Sequence, residues 1–200
     1  GFSCHSGQAP YGVNAINYAS KLITYIEELN KEKSIKGPFD NEYEIPYSTL
    51  HTGLINGGTI LNIVPNLCQF EFEIRHLAED DPLKIIQRIH QYTEELLIKE
   101  MHKISLKTNI SINEKINYPG LDISETIEPV KQVKEILNNS NHKKVIFGTE
   151  GGLFKKELNI PTIVCGPGSI DQAHKPDEYI SIQQIEKGGI FIDKLINNYS

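Results

Sequence analysis

The feature that most constrains the fold is a strict alternation of apolar and polar side chains between residues 68 and 75. Successive side chains of a β-strand point to opposite faces of its sheet, so this period is typical of a strand with one buried face. The sequence therefore predicts a strand over residues 68–76. Its two faces are Cys68, Phe70, Phe72 and Ile74 on the buried side, and Gln69, Glu71, Glu73 and Arg75 on the other.

The segments around this strand predict a β-α-β-β-α-β order for the first part of the chain. The expected elements are a strand at 1–4, a helix at about 12–30, strands at 48–56 and 68–76, a helix at about 80–101 and a strand at 106–112. A polar stretch with two prolines predicts a long loop over 30–46. This order is that of the ferredoxin-like fold, a four-stranded antiparallel sheet with two helices on one face. We therefore predict a ferredoxin-like domain over residues 1–117.

The second part of the chain, residues 118–200, alternates helix and strand instead. The expected elements are a helix at 125–138, a strand at 144–147, a short helix ending at 158, a strand at 160–165 and a helix at about 181–198. Such alternation is typical of a parallel α/β layer. Two short strands make only part of such a domain, and the chain begins without Met in structured-looking sequence. We therefore expect these residues to belong to a longer protein.

Composition excludes several classes of function. The net charge is −6, and basic residues are interspersed with acidic ones, which argues against a nucleic-acid partner and a polybasic membrane patch. No apolar run approaches the roughly 20 residues that span a bilayer. The three cysteines (Cys4, Cys68 and Cys165) include no C-x-x-C pair, so a disulfide framework is not expected. A reducing cytoplasm fits this usage best.

Local spacing alone identifies no complete catalytic site. The histidines have no close metal-binding pair such as H-x-D, and no G-x-S-x-G nucleophile motif occurs. Gly148–Gly152, G-T-E-G-G, opens a helix and could hold an anion, but it has no P-loop lysine. The loop 165–179 contains His174 after an apolar run, which suits either a functional histidine or a solvated surface loop. These residues leave a possible anion or metal loop.

Four motifs together resemble the M20 family of metallo-aminoacylases and peptidases. They are G-F-S-C-H-S-G with G-V-N-A-I at 1–16, H-T-G-L-I-N-G-G-T-I-L-N-I-V-P with F-E-I-R at 51–75, G-T-E-G-G-L-F at 148–154, and V-C-G-P-G-S-I-D-Q-A-H-K-P-D-E-Y at 164–179. Their order along the chain matches the family throughout. Within the family, the last motif favours an enzyme that removes acetate from N-acetylornithine, a step of arginine biosynthesis.

The resemblance implies a two-domain hydrolase of acyl amides. Residues 1–117 would be the ferredoxin-like lid that forms a homodimer, and residues 118–200 the C-terminal part of a zinc-peptidase-like α/β catalytic domain. The family's catalytic domain carries two Zn²⁺ ions, for which Co²⁺ can substitute. A metal-bound water attacks the amide carbonyl, a glutamate acts as general base, and the metals polarise the carbonyl.

The resemblance also implies roles for individual residues. His174 would be a metal ligand, and His5 would be the lid histidine that reaches the partner subunit's active site and stabilises the oxyanion. Residues from both domains would contact substrate, namely Asn62, Arg75, Thr149 and Gly168. Arg75 suits an α-carboxylate because a guanidinium binds carboxylates through two parallel hydrogen bonds.

The sequence pattern also allows a purely structural role for each of the three lid residues. Arg75 shares the polar face of its strand with Glu71 and Glu73, so it could be a solvated cross-strand charge. Asn62 could satisfy a turn, and His5 could be a surface residue.

The remaining metal ligands of the family lie upstream of the lid, so we expect the 200-residue chain alone to be inactive. Two alternatives stand beside the acetyl-ornithine hydrolase. One is a non-catalytic remnant or dimerisation module of an M20 protein. The other is a related desuccinylase or carboxypeptidase, since such enzymes share the residues corresponding to Arg75 and His174.

Overall fold

The computed structural model describes residues 1–139, 141–145, 148–173 and 175–198. The chain divides into two compact units, Gly1–Asn117 and Tyr118–Ser200. Both helices and a sheet are present, and none of the helices described is long and apolar enough to cross a membrane.

The first long helix, α1, covers Ala15–Lys36. It begins where the Asn14 side chain accepts a hydrogen bond from the Asn17 amide at 3.2 Å, and it ends at Gly37, whose φ of +72° suits a glycine. The helix continues past the predicted boundary at residue 30, because the three lysines and the glutamate among residues 31–36 favour helix. One stripe of the helix is buried, formed by Ala19, Leu22, Ile26 and Leu29.

The sheet of the first unit consists of two antiparallel strands, β1 at Thr49–Gly57 and β2 at Cys68–Arg75, within the part of the chain that is described. The register pairs Thr49 with Arg75 and Gly57 with Cys68, with a bulge between Thr52 and Leu54. Along β2 the apolar side chains are half-buried and the polar ones exposed, as the alternation predicted.

The helical segment that follows begins at Asp81, whose carboxylate accepts a hydrogen bond from the Leu83 amide at 3.0 Å. It comprises α2 at Pro82–Tyr92, a π-helical stretch at Thr93–Ile98 and α3 at Lys99–His102. The predicted helix at about 80–101 is confirmed in extent, although the π-helical stretch was not foreseen.

The core of the first unit forms where α1, β1 and the α2–α3 segment meet. Its central side chains are Leu22, Ile26, Leu29, Leu50, Ile85, Ile89 and Leu97. Half-buried side chains of β2 pack against this cluster, including Phe70 and Phe72. One buried polar side chain of this unit is Ser48, whose hydroxyl accepts a hydrogen bond from the amide of the buried Leu77 at 3.0 Å.

Two strands expected in the first unit do not form as predicted. Residues 1–5 make only isolated bridges, Phe2 with Val13 and His5 with Ile63, so the strand predicted at 1–4 does not form. Residues 106–112 are irregular, although Ile110 and Ile112 pack against the core. Thr108 is buried as well, whereas Leu106 is 81% exposed, so the alternation identifies the inward-facing side chains only in part, and it cannot specify a hydrogen-bonded partner strand. The four-stranded ferredoxin-like sheet is therefore not confirmed.

The second unit contains three α-helices in its described residues. They are α4 at Glu128–Leu137, α5 at Gly151–Leu158 and α6 at Ile182–Asn198. The first two end at asparagines with left-handed backbone, Asn138 and Asn159. These helices lie where the sequence predicted them.

The strands predicted for the second unit are not observed. Residues 160–165 are described and are irregular, so that prediction is wrong. An apolar β-branched run fits a strand locally, but a strand also needs a neighbouring backbone to pair with. The predicted strand 144–147 lies partly outside the described residues, and its first two residues are irregular. A parallel α/β layer is therefore not confirmed within the described residues.

Candidate functional site

His5 lies at the start of a short 3-10 helix, Ser6–Tyr11, and its side chain is exposed. The Gly7 amide donates a hydrogen bond to His5 Nδ1 at 3.1 Å. A neutral imidazole carries one proton, so a ring whose Nδ1 accepts must carry its proton on Nε2. His5 can therefore act as a hydrogen-bond donor through Nε2 while it remains uncharged.

Asn62 lies in a tight turn of the loop between β1 and β2. The Ile63 amide faces the Ile60 carbonyl at 3.4 Å, which places Leu61 and Asn62 at the two central positions. Both central side chains are exposed, and Leu61 is 98% exposed. Asn62 thus occupies a turn, as one interpretation of the sequence expected, and it does so through its backbone. Its side-chain carboxamide remains available at the surface.

The structure brings His5 and Asn62 onto paired backbone segments. The Ser6 amide donates to the Asn62 carbonyl at 2.9 Å, and the Val64 amide donates to the Cys4 carbonyl at 2.9 Å. The N-terminal ammonium reaches the Asn66 carbonyl at 2.8 Å. His5 and Ile63 are directly paired in this antiparallel arrangement, which sets their Cα atoms about 5 Å apart. Sequence reasoning proposed both residues but not their proximity.

Arg75 lies at the opposite end of β2 from the turn that carries Asn62. β2 begins at Cys68, and the seven residue steps from Cys68 to Arg75 span about 24 Å along the strand. Arg75 is therefore remote from the Cys68 end of β2. Arg75 Nη2 donates to Glu73 Oε2 at 2.9 Å, and both side chains are about half exposed. This ion pair joins two residues on the polar face of β2 itself, whereas the alternative left open by the sequence was a solvated cross-strand charge.

Thr149 precedes α5 in the second unit, where its hydroxyl oxygen accepts a hydrogen bond from the Gly151 amide at 3.2 Å. The chain is tightly packed here, because a Cβ added at Gly152 would lie 1.9 Å from the Pro119 carbonyl oxygen. The glycines of the G-T-E-G-G motif therefore have a packing reason in addition to any role in binding.

Gly168 lies in the loop before α6 and has a φ of +100°, a conformation that favours glycine. The next residue, Ser169, begins a short 3-10 helix at Ile170–Gln172, where the hydroxyl of Ser169 accepts from the Asp171 amide at 3.3 Å. His174, the predicted metal ligand, lies outside the described residues.

One ionic cluster of the second unit escaped the sequence analysis. Glu125 accepts hydrogen bonds from Lys134 at 2.7 Å, and its other oxygen lies 3.1 Å from His142 Nε2. The hydrogen bond from Lys134 lowers the pKa of Glu125 below its usual value. These residues are too far apart in the sequence for any local spacing rule to connect them.

Comparisons with known proteins cover the whole chain. Residues 1–101 match the M20 family model described as a peptidase dimerisation domain. The chain is 30% identical over 200 residues to acetylornithine deacetylase of Buchnera aphidicola subsp. Acyrthosiphon pisum (strain Tuc7), covering 98% of this chain and 49% of that protein. It is 29% identical over 199 residues to acetylornithine deacetylase of Pasteurella multocida (strain Pm70), covering 100% and 50% respectively.

The chain thus spans about half the length of the curated relatives that it matches. Among solved structures, it resembles aminopeptidase PepT from Bacillus cereus ATCC 10987, with a TM-score of 0.66 and 22% identity. It also resembles a tripeptidase from Staphylococcus aureus, with a TM-score of 0.67 and 21% identity. Each similarity covers 96% of this chain and 47% of the other. The fold and the family match agree with the motifs, and the chain therefore belongs to the M20 peptidase family.

Proposed function

We propose that the protein hydrolyses the acyl amide of an N-acyl amino acid, with N-acetylornithine as its substrate. The observation that carries this proposal is the similarity to acetylornithine deacetylases, which extends over 98–100% of the chain rather than over the dimerisation domain alone. In this proposal residues 1–117 are the lid, and residues 118–200 contribute to the catalytic domain.

His5 serves the reaction as a hydrogen-bond donor to the oxyanion that forms when the amide carbonyl is attacked. The acceptor role of its Nδ1 supports this assignment, because the proton of the neutral ring then lies on Nε2. Preformed donors of this kind stabilise charge that develops in the transition state. Asn62, on the adjacent paired segment, binds the same substrate through its carboxamide.

Arg75 binds the α-carboxylate of a substrate at a different active site from the one that its own His5 serves. The length of β2 supports this division, since Arg75 lies about 24 Å along the strand from Cys68, the end of β2 that follows the loop carrying Asn62. In a homodimer, Arg75 of one subunit and His5 of the other then complete each site. Thr149 and Gly168 line the pocket in the catalytic domain.

His174 is the metal ligand that this chain supplies. An imidazole is a good zinc donor, but one imidazole falls short of the three or four ligands that a zinc site requires. The metal ligand proposed within residues 1–200 therefore makes up only part of a zinc site. The family resemblance assigns the remaining metal ligands to residues outside this range. When bound, the metal ions supply Lewis acidity and an activated water.

A direct experiment tests whether residues 1–200 suffice. The purified chain is assayed for acetate release from N-acetylornithine, and its zinc content is measured in the same sample. We expect no turnover and less than one tightly bound zinc per chain. Robust turnover with stoichiometric metal would contradict the requirement for further ligands.

Subunit mixing tests the division of lid residues in the complete protein. His5→Ala and Arg75→Ala variants are each expected to be inactive alone. After mixing and exchange, half of the dimers are mixed, and each has one site with both residues intact, so about a quarter of the wild-type activity returns. If His5 and Arg75 of one subunit served the same site, each site of a mixed dimer would lack one of the two residues and no activity would return. Mixing the double variant His5→Ala/Arg75→Ala with wild type is the converse control, since its mixed dimers keep one intact site only when both residues come from one subunit.

The acyl group is tested with a panel of N-acetyl, N-formyl and N-succinyl amino acids on the complete protein. The proposal expects the highest kcat/KM for N-acetylornithine. A preference for the succinyl substrate, or for a peptide, would favour the desuccinylase or carboxypeptidase alternative.

A second candidate function is a dimerisation module without catalysis. The match of residues 1–101 to a peptidase dimerisation domain favours it, since that match concerns assembly rather than chemistry. Light scattering on the purified chain would give a dimer under either proposal. A complete protein that dimerises and binds zinc but hydrolyses no acyl substrate would support this second candidate.

A further inference from the structure

We propose that the backbone amide of Gly7 is a positioning group for His5, fixing the imidazole in the tautomer that carries its proton on Nε2. This inference deepens the proposed function, because it gives the physical reason why His5 donates rather than accepts a hydrogen bond at the substrate. It concerns the ground state of the chain itself and can be measured without turnover.

The geometry of the 3-10 helix supplies this positioning. The Gly7 amide lies 3.1 Å from His5 Nδ1, within ordinary hydrogen-bond distance. The His5 carbonyl meanwhile accepts from the Gln8 amide at 2.8 Å, which fixes the backbone from which the ring projects. An amide N–H can only donate, so Nδ1 must be unprotonated whenever this bond is made.

Hydrogen bonds to the loop between β1 and β2 also hold the backbone on either side of His5. The Ser6 amide donates to the Asn62 carbonyl at 2.9 Å, and the Cys4 carbonyl accepts from the Val64 amide at 2.9 Å. Both neighbours of His5 are therefore tied to the loop that carries Asn62. The ring is oriented relative to Asn62 by a local bond to Gly7 and by these two bonds between segments.

Two other histidines provide internal comparisons, because each faces a carbonyl oxygen, which only accepts. His76 Nδ1 lies 2.9 Å from the Leu77 carbonyl oxygen, so that ring carries its proton on Nδ1. His102 Nε2 lies 3.0 Å from the Thr108 carbonyl oxygen, so that ring carries its proton on Nε2. The structure thus assigns His5 and His76 to opposite tautomers.

The first test is a long-range ¹H–¹⁵N NMR experiment on the ¹⁵N-labelled 200-residue chain at about pH 9, where histidine side chains are ordinarily neutral. Loss of the corresponding signals in His5→Gln and His76→Gln variants assigns the rings. We expect an unprotonated Nδ1 in His5, a protonated Nδ1 in His76, and a nitrogen–nitrogen coupling through the hydrogen bond between Gly7 and His5. A protonated Nδ1 in His5 would overturn the proposal, as would a Gly7 amide that exchanges like an unbonded one.

The second test compares two substitutions at residue 7. Gly7→Pro removes the amide hydrogen, whereas Gly7→Ala keeps it and places a Cβ 3.3 Å from Nδ1, where a small ring shift relieves the contact. We expect the His5 Nδ1 resonance to move toward the value of a tautomer mixture in Gly7→Pro and to stay in place in Gly7→Ala. An unchanged Nδ1 resonance in a folded Gly7→Pro chain would contradict the proposal. If the Gly7→Pro chain does not fold, the NMR measurement on the wild-type chain decides.

In the complete protein, Gly7→Pro is expected to lower kcat about fivefold with little change in KM, as for the loss of one modest hydrogen bond. Gly7→Ala should retain most of kcat. If His5→Ala leaves kcat unchanged, the proposed catalytic role of His5 fails while the NMR result on its tautomer still stands. The two proposals are therefore tested separately.

Discussion

At the scale of single residues, charged side chains near helix α1 differ greatly in how far they are removed from water. Arg88 makes two hydrogen bonds to the Glu32 carboxylate, at 3.1 and 2.8 Å, and both side chains remain partly exposed. Lys33 and Asp80 form a more buried pair at 2.6 Å, with 15% and 8% of their side chains exposed. This difference in burial predicts different costs when each pair is broken.

The pKa of Glu32 lies below its usual value, chiefly because of its hydrogen bonds to Arg88. We expect Arg88→Met to raise that pKa toward the ordinary range, measured by NMR titration of the carboxyl carbon. A lowered folded-state pKa stabilises the protein fully above the unfolded pKa of the carboxyl. That contribution is lost as the pH falls through the folded-state pKa.

Arg88→Met should therefore reduce the free energy of unfolding by about 0.5–1 kcal/mol near pH 7 and by less near pH 3. Urea denaturation at the two pH values measures both numbers. Lys31→Met is the control, since Lys31 lies 3.9 Å from Glu27 and both side chains are well exposed. An equal loss at both pH values would show that Arg88 acts through packing rather than charge.

Lys33→Met should destabilise the first unit by about 3 kcal/mol, because it leaves the Asp80 carboxylate buried without its counter-charge. Among the described residues, Asp80 Oδ2 already has no hydrogen-bond partner. Lys36→Met, one turn later on α1 and 70% exposed, should cost much less. The double variant Lys33→Met/Asp80→Leu should recover most of the loss, and a failure to recover would argue that packing rather than the unpaired charge dominates.

At the scale of elements, two glycines in helices of the second unit have opposite surroundings. A Cβ at Gly152, in α5, would meet the Pro119 carbonyl oxygen at 1.9 Å, whereas a Cβ at Gly189, in α6, would meet nothing within 4 Å. Backbone atoms cannot move as a flexible side chain does, so α5 can start here only with glycine at residue 152.

Gly152→Ala should therefore disrupt the second unit, while Gly189→Ala should stabilise α6 by up to about 1 kcal/mol. Circular dichroism and urea denaturation of the two single variants give the comparison. A Gly152→Ala chain that unfolds at the wild-type urea concentration would show that α5 and the segment at Pro119 are not held together in solution.

The helices were the most predictable elements, because amphipathic spacing is a property of one segment. The buried stripe of α1 and the alternation along β2 were both evident in the sequence. The sequence did not reveal that segments 106–112 and 160–165 are irregular, because forming a strand depends on a partner backbone elsewhere. In residues 106–112 the predicted alternation is followed by Thr108, Ile110 and Ile112 but not by Leu106, which is 81% exposed, and the predicted strand pairing does not form.

At the scale of the whole molecule, apolar burial is concentrated in the first unit. Its core joins α1, β1 and the α2–α3 segment. In the second unit the buried apolar side chains among the described residues are Val130 and Val133, and α6 has no buried residue. Local opening costs less where fewer apolar contacts must be broken.

Amides of α4, α5 and α6 should therefore exchange hydrogen faster than those of α1 and α2 in the 200-residue chain. Hydrogen–deuterium exchange followed by mass spectrometry measures the difference on peptides from each unit. Uniformly slow exchange across residues 118–198 would contradict this prediction. The same experiment on the complete protein tells whether protection depends on residues beyond these 200.

The sequence by itself determined the family, the approximate position of each α-helix and the buried face of β2, since motifs and periodicity are local. It also proposed His5 as a catalytic residue and Asn62 and Arg75 as substrate-binding residues, roles that stay predictions. Only the tertiary structure decided that His5 and Asn62 lie on paired segments and that Gly7 donates to the His5 ring. These relations depend on which backbone groups meet after folding, and side-chain periodicity carries no information about that.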